Sequence, residues 1–328
     1  MKKIYKTTIV FLVLDIVFVA LIFLINGPLC NNLINKLYNS KIVYSLWDSD
    51  TVWQNLVGTS NYLYGSDVIK EIKNEEVINQ YEKEILTKDK NNENYKLINL
   101  KIDGYPAYMV VIYDPTKIEL VHTKTFDTGT SQENIMSMCK RYKGTICING
   151  GKFVDYGVGS DTPVGYLIDD GKVIWPKDGN DTKKGKIIGF TDKGRLTLMN
   201  TSAKEAIAAG VKEALQFGPF LIVDGVEQKL SDYAIGGFMG ASRVAVAQRE
   251  DGIVLFLVAD GNHGAGATIK SMISTFKKYG AYNAANLDGG ASSQLVIKGK
   301  LINNPKNIYG ESMGDGRKVV SGFGVVFD

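Results

Sequence analysis

Cysteine is nearly absent from this 328-residue chain; Cys30, Cys139 and Cys147 are all it has. They form no CxxC pair and no metal-binding spacing. Cys139 and Cys147 read as small buried apolar residues. A disulfide between them is open to the chain in an oxidising compartment but is not indicated by the sequence. Proline is scarce as well, at 7 residues against 35 glycines, which points to many tight turns between strands. Charge of one sign is missing too. The 38 basic and 35 acidic residues are mixed along the chain and leave +3. No basic stripe results, so nucleic acid is not an expected partner. No GxxxxGK[ST] phosphate loop occurs either. The length allows one or two domains and a sizeable core.

The first informative segment is "MKKIYKTTIVFLVLDIVFVALIFLING". Lys2, Lys3 and Lys6 precede a mostly apolar stretch, Thr7 to Asn26, long enough to span a bilayer. The leading lysines favour an N-terminus inside and the body of the protein outside. A cleaved signal peptide is the competing reading. No small-x-small cleavage site follows the run, and "GPLC" is a poor lipoprotein site, so residues 1–28 are expected to be an uncleaved single-pass anchor. Asp15 sits mid-span, where a carboxylate costs ~2.5–3.5 kcal/mol. It is either protonated and tolerated or turned to another membrane helix, which would be a membrane partner.

Residues 29–94 are polar and helical in pattern. Ser66 is a plausible N-cap for "SDVIKEIKNEEVINQYEKEIL", and Thr87 to Asn94, "TKDKNNEN", reads as a linker. This segment is expected to be a juxtamembrane stalk before a domain at 95–328. There the pattern turns to strands. "KIDGYP", "LIDDGKVI", "FTDKGRLTLM", "FLIVDGVEQ" and "AQREDGIVLFLVADG" repeat a strand–turn–strand punctuation. Helices are expected over 131–142 after Thr130 or Ser131, over 203–214 after Ser202 with Glu205 completing a capping box, and over 269–279 after Thr268 with a stop at Gly280. The fold class expected is α+β: a large mixed, mainly antiparallel sheet with a few covering helices.

Two stretches share a pattern. "MCKRYKGTICINGG" and "TFKKYGAYNAANLDGG" both run from a helix end through a basic pair, a Tyr and a Gly to a short strand, a polar residue and Gly-Gly. Such a pseudo-repeat would bring Asn149 and Asp288 side by side in one cleft, although a Gly-Gly pair by itself is usually just a tight turn. An acid at a strand end sits on rigid backbone. Glycines after it let a ligand approach the main chain and let N–H groups converge on an anion. Asp288 would then serve as nucleophile or base. Gly150, Gly151, Gly289 and Gly290, with Lys152, would hold a phosphate. Asn149, Ser292 and Ser293 add sugar-orienting or donor groups. Arg243, at a strand start, suits a phosphate. Asp260 ends another apolar strand and would be a partner carboxylate or a cation ligand. His263 follows in a glycine loop before a helix N-terminus and would serve as a catalytic acid or base or as a phosphate donor, while His122, within a strand, reads as structural. These groups suit hydrolysis of a sugar phosphodiester, where the phosphate departs readily and stabilising its charge matters more than a strong acid. No cofactor is required by these residues, and a divalent cation is compatible with them.

"INGGKF", "FGPFLIVDG", "SRVAVAQREDGIVLFLVADG", "GATIKSMISTFKKYGAYNAANLDGGASSQLVIKGK" and "SGFGVVFD" occur in this order. In this combination the chain, from about Tyr95 onward, resembles the phosphodiester glycosidase family, whose bacterial members are often described as exopolysaccharide biosynthesis proteins. The resemblance implies cleavage between an anomeric carbon and a phosphodiester. Its motifs map onto Asn149-Gly150-Gly151, Arg243, Asp260-Gly261 and Asp288-Gly289-Gly290 with Ser292 and Ser293. Lys152 stands where many relatives have an aromatic, and Ser242 and Val244 flank the arginine where Pro and Thr are usual. An anchored ectodomain of this kind would act on a sugar-phosphate surface polymer, cell-wall polymer or glycoconjugate. Two other readings stay open: a non-catalytic glycan-binding subunit of an exopolysaccharide system, and a phosphodiesterase that cuts P–O.

Overall fold

The computed structural model describes residues 79–90, 92–129, 133–155, 161–176, 182–230, 242–262, 265–307 and 309–327. The expected anchor with Asp15, most of the stalk, and His263 lie outside them. The described residues all fall within one compact unit, Asn55–Asp328. Among them no helix is long and apolar enough to cross a membrane.

The Asp-Gly punctuation builds hairpins. Asp103 and Gly104 both take positive φ, 50° and 84°, as do Asp170-Gly171 and Asp224-Gly225. A two-residue turn with both φ positive matches the twist of its flanking strands. So Tyr95–Ile102 pairs with Tyr105–Ile112, and Leu167–Asp169 with Lys172–Trp175. Lys298-Gly299 adopts the same geometry with a lysine in first place.

These hairpins do not join into one large mixed sheet. Among the described residues they form a seven-stranded sheet, two five-stranded sheets and a short ribbon, and every pairing is antiparallel. The hairpins among them need no crossover, whereas parallel pairing does. The large sheet runs Tyr95–Ile102, Tyr105–Ile112, Val254–Ala259, Arg243–Arg249, Ala281–Leu287, Phe220–Val223, Val226–Glu227. The second sheet centres on Ile146–Asn149, between Leu295–Ile297 and Ser321–Val325. The third runs Lys172–Trp175, Leu167–Asp169, Val211–Gln216, Gly185–Thr191, Leu196–Thr201.

One face of each sheet turns into a shared core. Val244, Val246 and Phe256 meet Ile148 and Phe323 of the second sheet and Ile188 and Leu215 of the third. The alternate residues face outward. Ala245, Ala247 and Leu257 pack under Met272, Ile273 and Phe276 of the helix Ile269–Lys278. The helices Ile135–Arg141 and Ala203–Ala208 cover the second and third sheets in the same way.

Thr268 and the Ser202–Glu205 capping box start their helices as expected. The first of the three starts at Asn134, whose side chain caps Ser137 N–H, rather than at Thr130 or Ser131. The helix expected to reach residue 214 stops at Ala208, because Gly210 takes φ 93° and Val211–Gln216 becomes a strand of the third sheet. Sheet pairing there outweighs helix propensity. Gln80–Leu86, within the segment read as stalk and linker, is a helix packed on the domain. Its Ile85 is fully buried, Glu82 grips Arg249 at 2.8 and 2.6 Å, and Glu84 accepts from the Tyr279 hydroxyl at 2.7 Å.

Cys139 and Cys147 are disulfide-bonded, not merely small apolar residues. The chain turns back through Lys143, at φ 56°, and Gly144, which brings the two Cα atoms to 5.8 Å. A side chain on Gly144 would strike both sulfurs. Closing so short a loop stabilises the fold by about 2.5 kcal/mol on a chain-entropy basis. Paired Cys139→Ala and Cys147→Ala replacement is expected to lower the unfolding free energy by roughly that amount. Identical urea midpoints for the two proteins would contradict this.

Glu213 ties the third sheet to the second. Its carboxylate accepts from Leu120 N–H at 2.9 Å and from Asp170 N–H at 3.0 Å. Burial pushes it up to about 7 against the pull of those donors, with Asp169 and Glu119 adding to the rise. A group raised in the folded state holds its proton there while the unfolded chain has lost it. Its contribution is therefore complete below its ordinary value of 4.5 and is lost as pH rises through 7. Wild-type stability is expected to decline between pH 5 and 8 more steeply than that of Glu213→Gln, as read from urea midpoints across that range. Parallel slopes would refute it.

Candidate functional site

Strand order places the polar strand ends at one edge of the large sheet. Arg243 opens its strand opposite Ala259, and Val244 pairs with Leu287. Arg243, Asp260 and Asp288 therefore emerge from three neighbouring strands. The second sheet meets this edge through Ile146–Asn149. Asp288 N–H donates to Gly150 O at 2.9 Å, and Asn149 Nδ2 donates to Asp288 O at 2.7 Å. The two ends of the pseudo-repeat do lie side by side, although they belong to different sheets.

Asp288 supplies a carboxyl at this junction. Burial pushes its carboxyl up to about 6. A hydrogen bond from Ser292 and the charges of Arg317 and Lys152 draw it down, while Asp155 raises it further. Arg317 is held in a two-bond pair with Asp155, at 3.0 and 2.7 Å, and lies over the ring of Phe153. A carboxylate poised near neutrality and faced by two cations can act as nucleophile or base beside an anionic group.

Sequence reasoning missed Arg317 and Asp155. They lie 162 residues apart, in loops with no strand pattern, and only the closing motif "SGFGVVFD" hinted at that region. Gln294 was missed as well. Fully buried, it accepts from Ile135 N–H and donates to the carbonyls of Ser292 and Arg317. It thus positions both groups that flank Asp288.

The other expected residues take varied places. Asn149 is buried with both amide ends occupied, since its Oδ1 also accepts from Gln294 N–H at 2.8 Å. It holds the strand ends together. Gly150 has its N–H on Ser321 O, and Gly290 has its N–H on Ser242 O at 2.7 Å. Gly289 has no room for a side chain, because a Cβ would lie 2.7 Å from Ser242 O. A Cβ on Gly151 would meet the Ser321 hydroxyl at 2.8 Å. Gly289 thus lets two backbone segments meet, and Gly151 leaves room for the Ser321 hydroxyl. Lys152 contributes its charge to Asp288. Ser293 is fully buried, and its hydroxyl, like that of Ser321, has no partner among the described residues. Arg243 donates Nε to Ala267 O at 3.1 Å, and burial lowers its pKa.

Asp260 faces a different group. Its oxygens accept from Asn303 Nδ2 and from Asn304 N–H at 3.1–3.2 Å, and burial raises its pKa. Those bonds pin the loop after Leu301 to the large sheet. Among the described residues no three His, Cys, Asp or Glu side chains converge on a cation position.

Antiparallel sheets around one core, with a carboxylate and cations where two sheets meet, define an α+β domain. Residues 142–326 match the phosphodiester glycosidase family, and the chain belongs to that family. It is 28% identical over 189 residues to the SPbeta prophage-derived protein YomE of Bacillus subtilis (strain 168), a match covering 56% of this chain and 29% of that protein. The fold is similar to the catalytic domain of zebrafish N-acetylglucosamine-1-phosphodiester alpha-N-acetylglucosaminidase, auto-inhibited by its pro-peptide. There the TM-score is 0.59 and the identity 16%, over 74% of this chain and 86% of that one. A protein from Synechocystis is also similar, with a TM-score of 0.54 and 16% identity over 70% of this chain and 61% of that one.

Proposed function

We propose that this protein hydrolyses a sugar-1-phosphodiester at the glycosidic C–O bond, releasing free sugar and a phosphomonoester. The observation that carries the reading is Asp288. One carboxylate raised to about 6 is bonded by Ser292 and faced by Arg317 and Lys152. Arg317 and Lys152 would take the departing phosphate, whose charge grows as the C–O bond breaks. Asp288 would attack the anomeric carbon or take the proton of the attacking water. Little demand falls on a general acid, because a phosphate monoester is a good leaving group. The substrate in the zebrafish protein's name makes an N-acetylglucosamine diester the first probe to try.

The reading places the domain outside the membrane, tethered by residues 1–28, acting on a surface or cell-wall polymer. The Cys139–Cys147 bond supports an oxidising compartment. The test is incubation of the full-length protein with N-acetylglucosamine α-1-phosphate methyl diester in heavy-oxygen water. Label at C1 of the free sugar is the expected result. Label in a phosphate product would mean P–O cleavage instead. No turnover of this or other sugar-1-phosphodiesters would favour a non-catalytic glycan-binding role.

A further inference from the structure

A further cation, Lys186, reaches by its side chain to Gly218, which bonds the strand that carries Asp288. Lys186 is the second residue of the strand Gly185–Thr191 in the third sheet. By strand alternation it shares the face of Ile188 and Phe190, which turn into the common core. Phe217 lies directly across from it and donates its N–H to Lys186 O at 3.1 Å. Cross-strand neighbours of this kind carry their side chains on one face. The lysine stem runs along Gly218, where a Cβ would meet its Cδ at 3.1 Å.

Gly218 connects Lys186 to the strand that carries Asp288. Its carbonyl accepts from Asn286 Nδ2 at 3.3 Å. Asn286 precedes Asp288 by two residues, a strand repeat of roughly 6.5–7 Å. The other end of that amide, Oδ1, is buried and has no hydrogen-bond partner among the described residues. Among the described residues no carboxylate pairs with the Lys186 ammonium and no acceptor holds it. Burial alone pushes it down to about 8. A half-buried unpaired cation is unfavourable unless an anion joins it.

We infer that Lys186, with Phe217 beside it and Asn286 across Gly218, forms a second subsite that binds an anionic group of the substrate beyond the sugar at Asp288. This deepens the glycosidase reading and rests on it. The substrate class it selects is a chain with repeated negative charge, such as a sugar-phosphate oligomer, over a simple diester. Lys186 supplies the charge, Phe217 an apolar surface for a sugar ring, and Asn286 Oδ1 an acceptor for a hydroxyl or amide proton.

The test is calorimetric binding to full-length Asp288→Asn, which keeps the cleft and does not depend on turnover. The probes are N-acetylglucosamine α-1-phosphate methyl diester and a three-unit sugar-phosphate oligomer. The oligomer is expected to bind about 10-fold tighter, one further charge contact being worth about that much. Adding Lys186→Gln should remove the advantage and leave the methyl diester unaffected, whereas Lys186→Arg should keep it. Equal affinity for the two probes, an advantage that survives Lys186→Gln, or binding of neither probe would overturn the inference. Failure of the wild type to release sugar would count against the hydrolase reading separately.

Discussion

Replacing Asp288 by Asn is expected to abolish sugar release while leaving a more stable protein. The amide can neither attack an anomeric carbon nor take a proton. The loss should be at least about 10³-fold in kcat, or about 4 kcal/mol of transition-state stabilisation. The stability gain follows from the raised carboxyl. Its folded value of about 6 exceeds its ordinary 3.8. Its contribution is therefore complete below 3.8 and is lost as pH rises through 6, so the ionised side chain burdens the fold at neutral pH by up to about 3 kcal/mol. Asn carries no such burden. Wild-type kcat/KM should rise from acid through about pH 6 and then level off, because the charged form is the active one. An Asp288→Asn protein that turns over at the wild-type rate, or activity that falls above pH 6, would remove Asp288 from this role.

Arg317→Met should be the second most damaging change. Removing one preorganised charge from a departing oxyanion typically costs about 10²–10³ in kcat. Lys at this position should recover only part of the loss. It cannot reproduce the two-bond pair with Asp155, and that pair sets where the charge points. The pH profile separates this role from a merely structural one. Arg317 draws the Asp288 carboxyl down, so its removal should shift the acid limb of the profile to higher pH. Reduced activity with an unmoved limb would mean that Arg317 supports the loop and does not face the reacting groups.

The disagreements between sequence and structure share one cause. Gly150 and Gly290 looked like open N–H donors, and both N–H groups are spent on neighbouring strands. Asp260 read as a partner carboxylate or a cation ligand, and its oxygens accept from Asn303 and Asn304. In a one-dimensional pattern a glycine that frees backbone for a ligand is indistinguishable from one that lets two backbones meet. Likewise, a strand-end acid looks the same whether it faces a cleft or a loop.

What the sequence determined by itself is local. Asp-Gly pairs fold back because both residues tolerate positive φ, Ser202 and Thr268 cap their helices with their own hydroxyls, and Asp288 closes an apolar strand. Each of these depends on bonds within a few residues. The tertiary structure alone decided that the Asn149 and Asp288 strand ends meet across two sheets, that Arg317 and Asp155 frame the carboxyl, and that Lys186 has no partner among the described residues. Those outcomes depend on how three sheets pack their inner faces into one core. That packing brings together side chains more than a hundred residues apart, a distance over which no periodicity in the chain carries information.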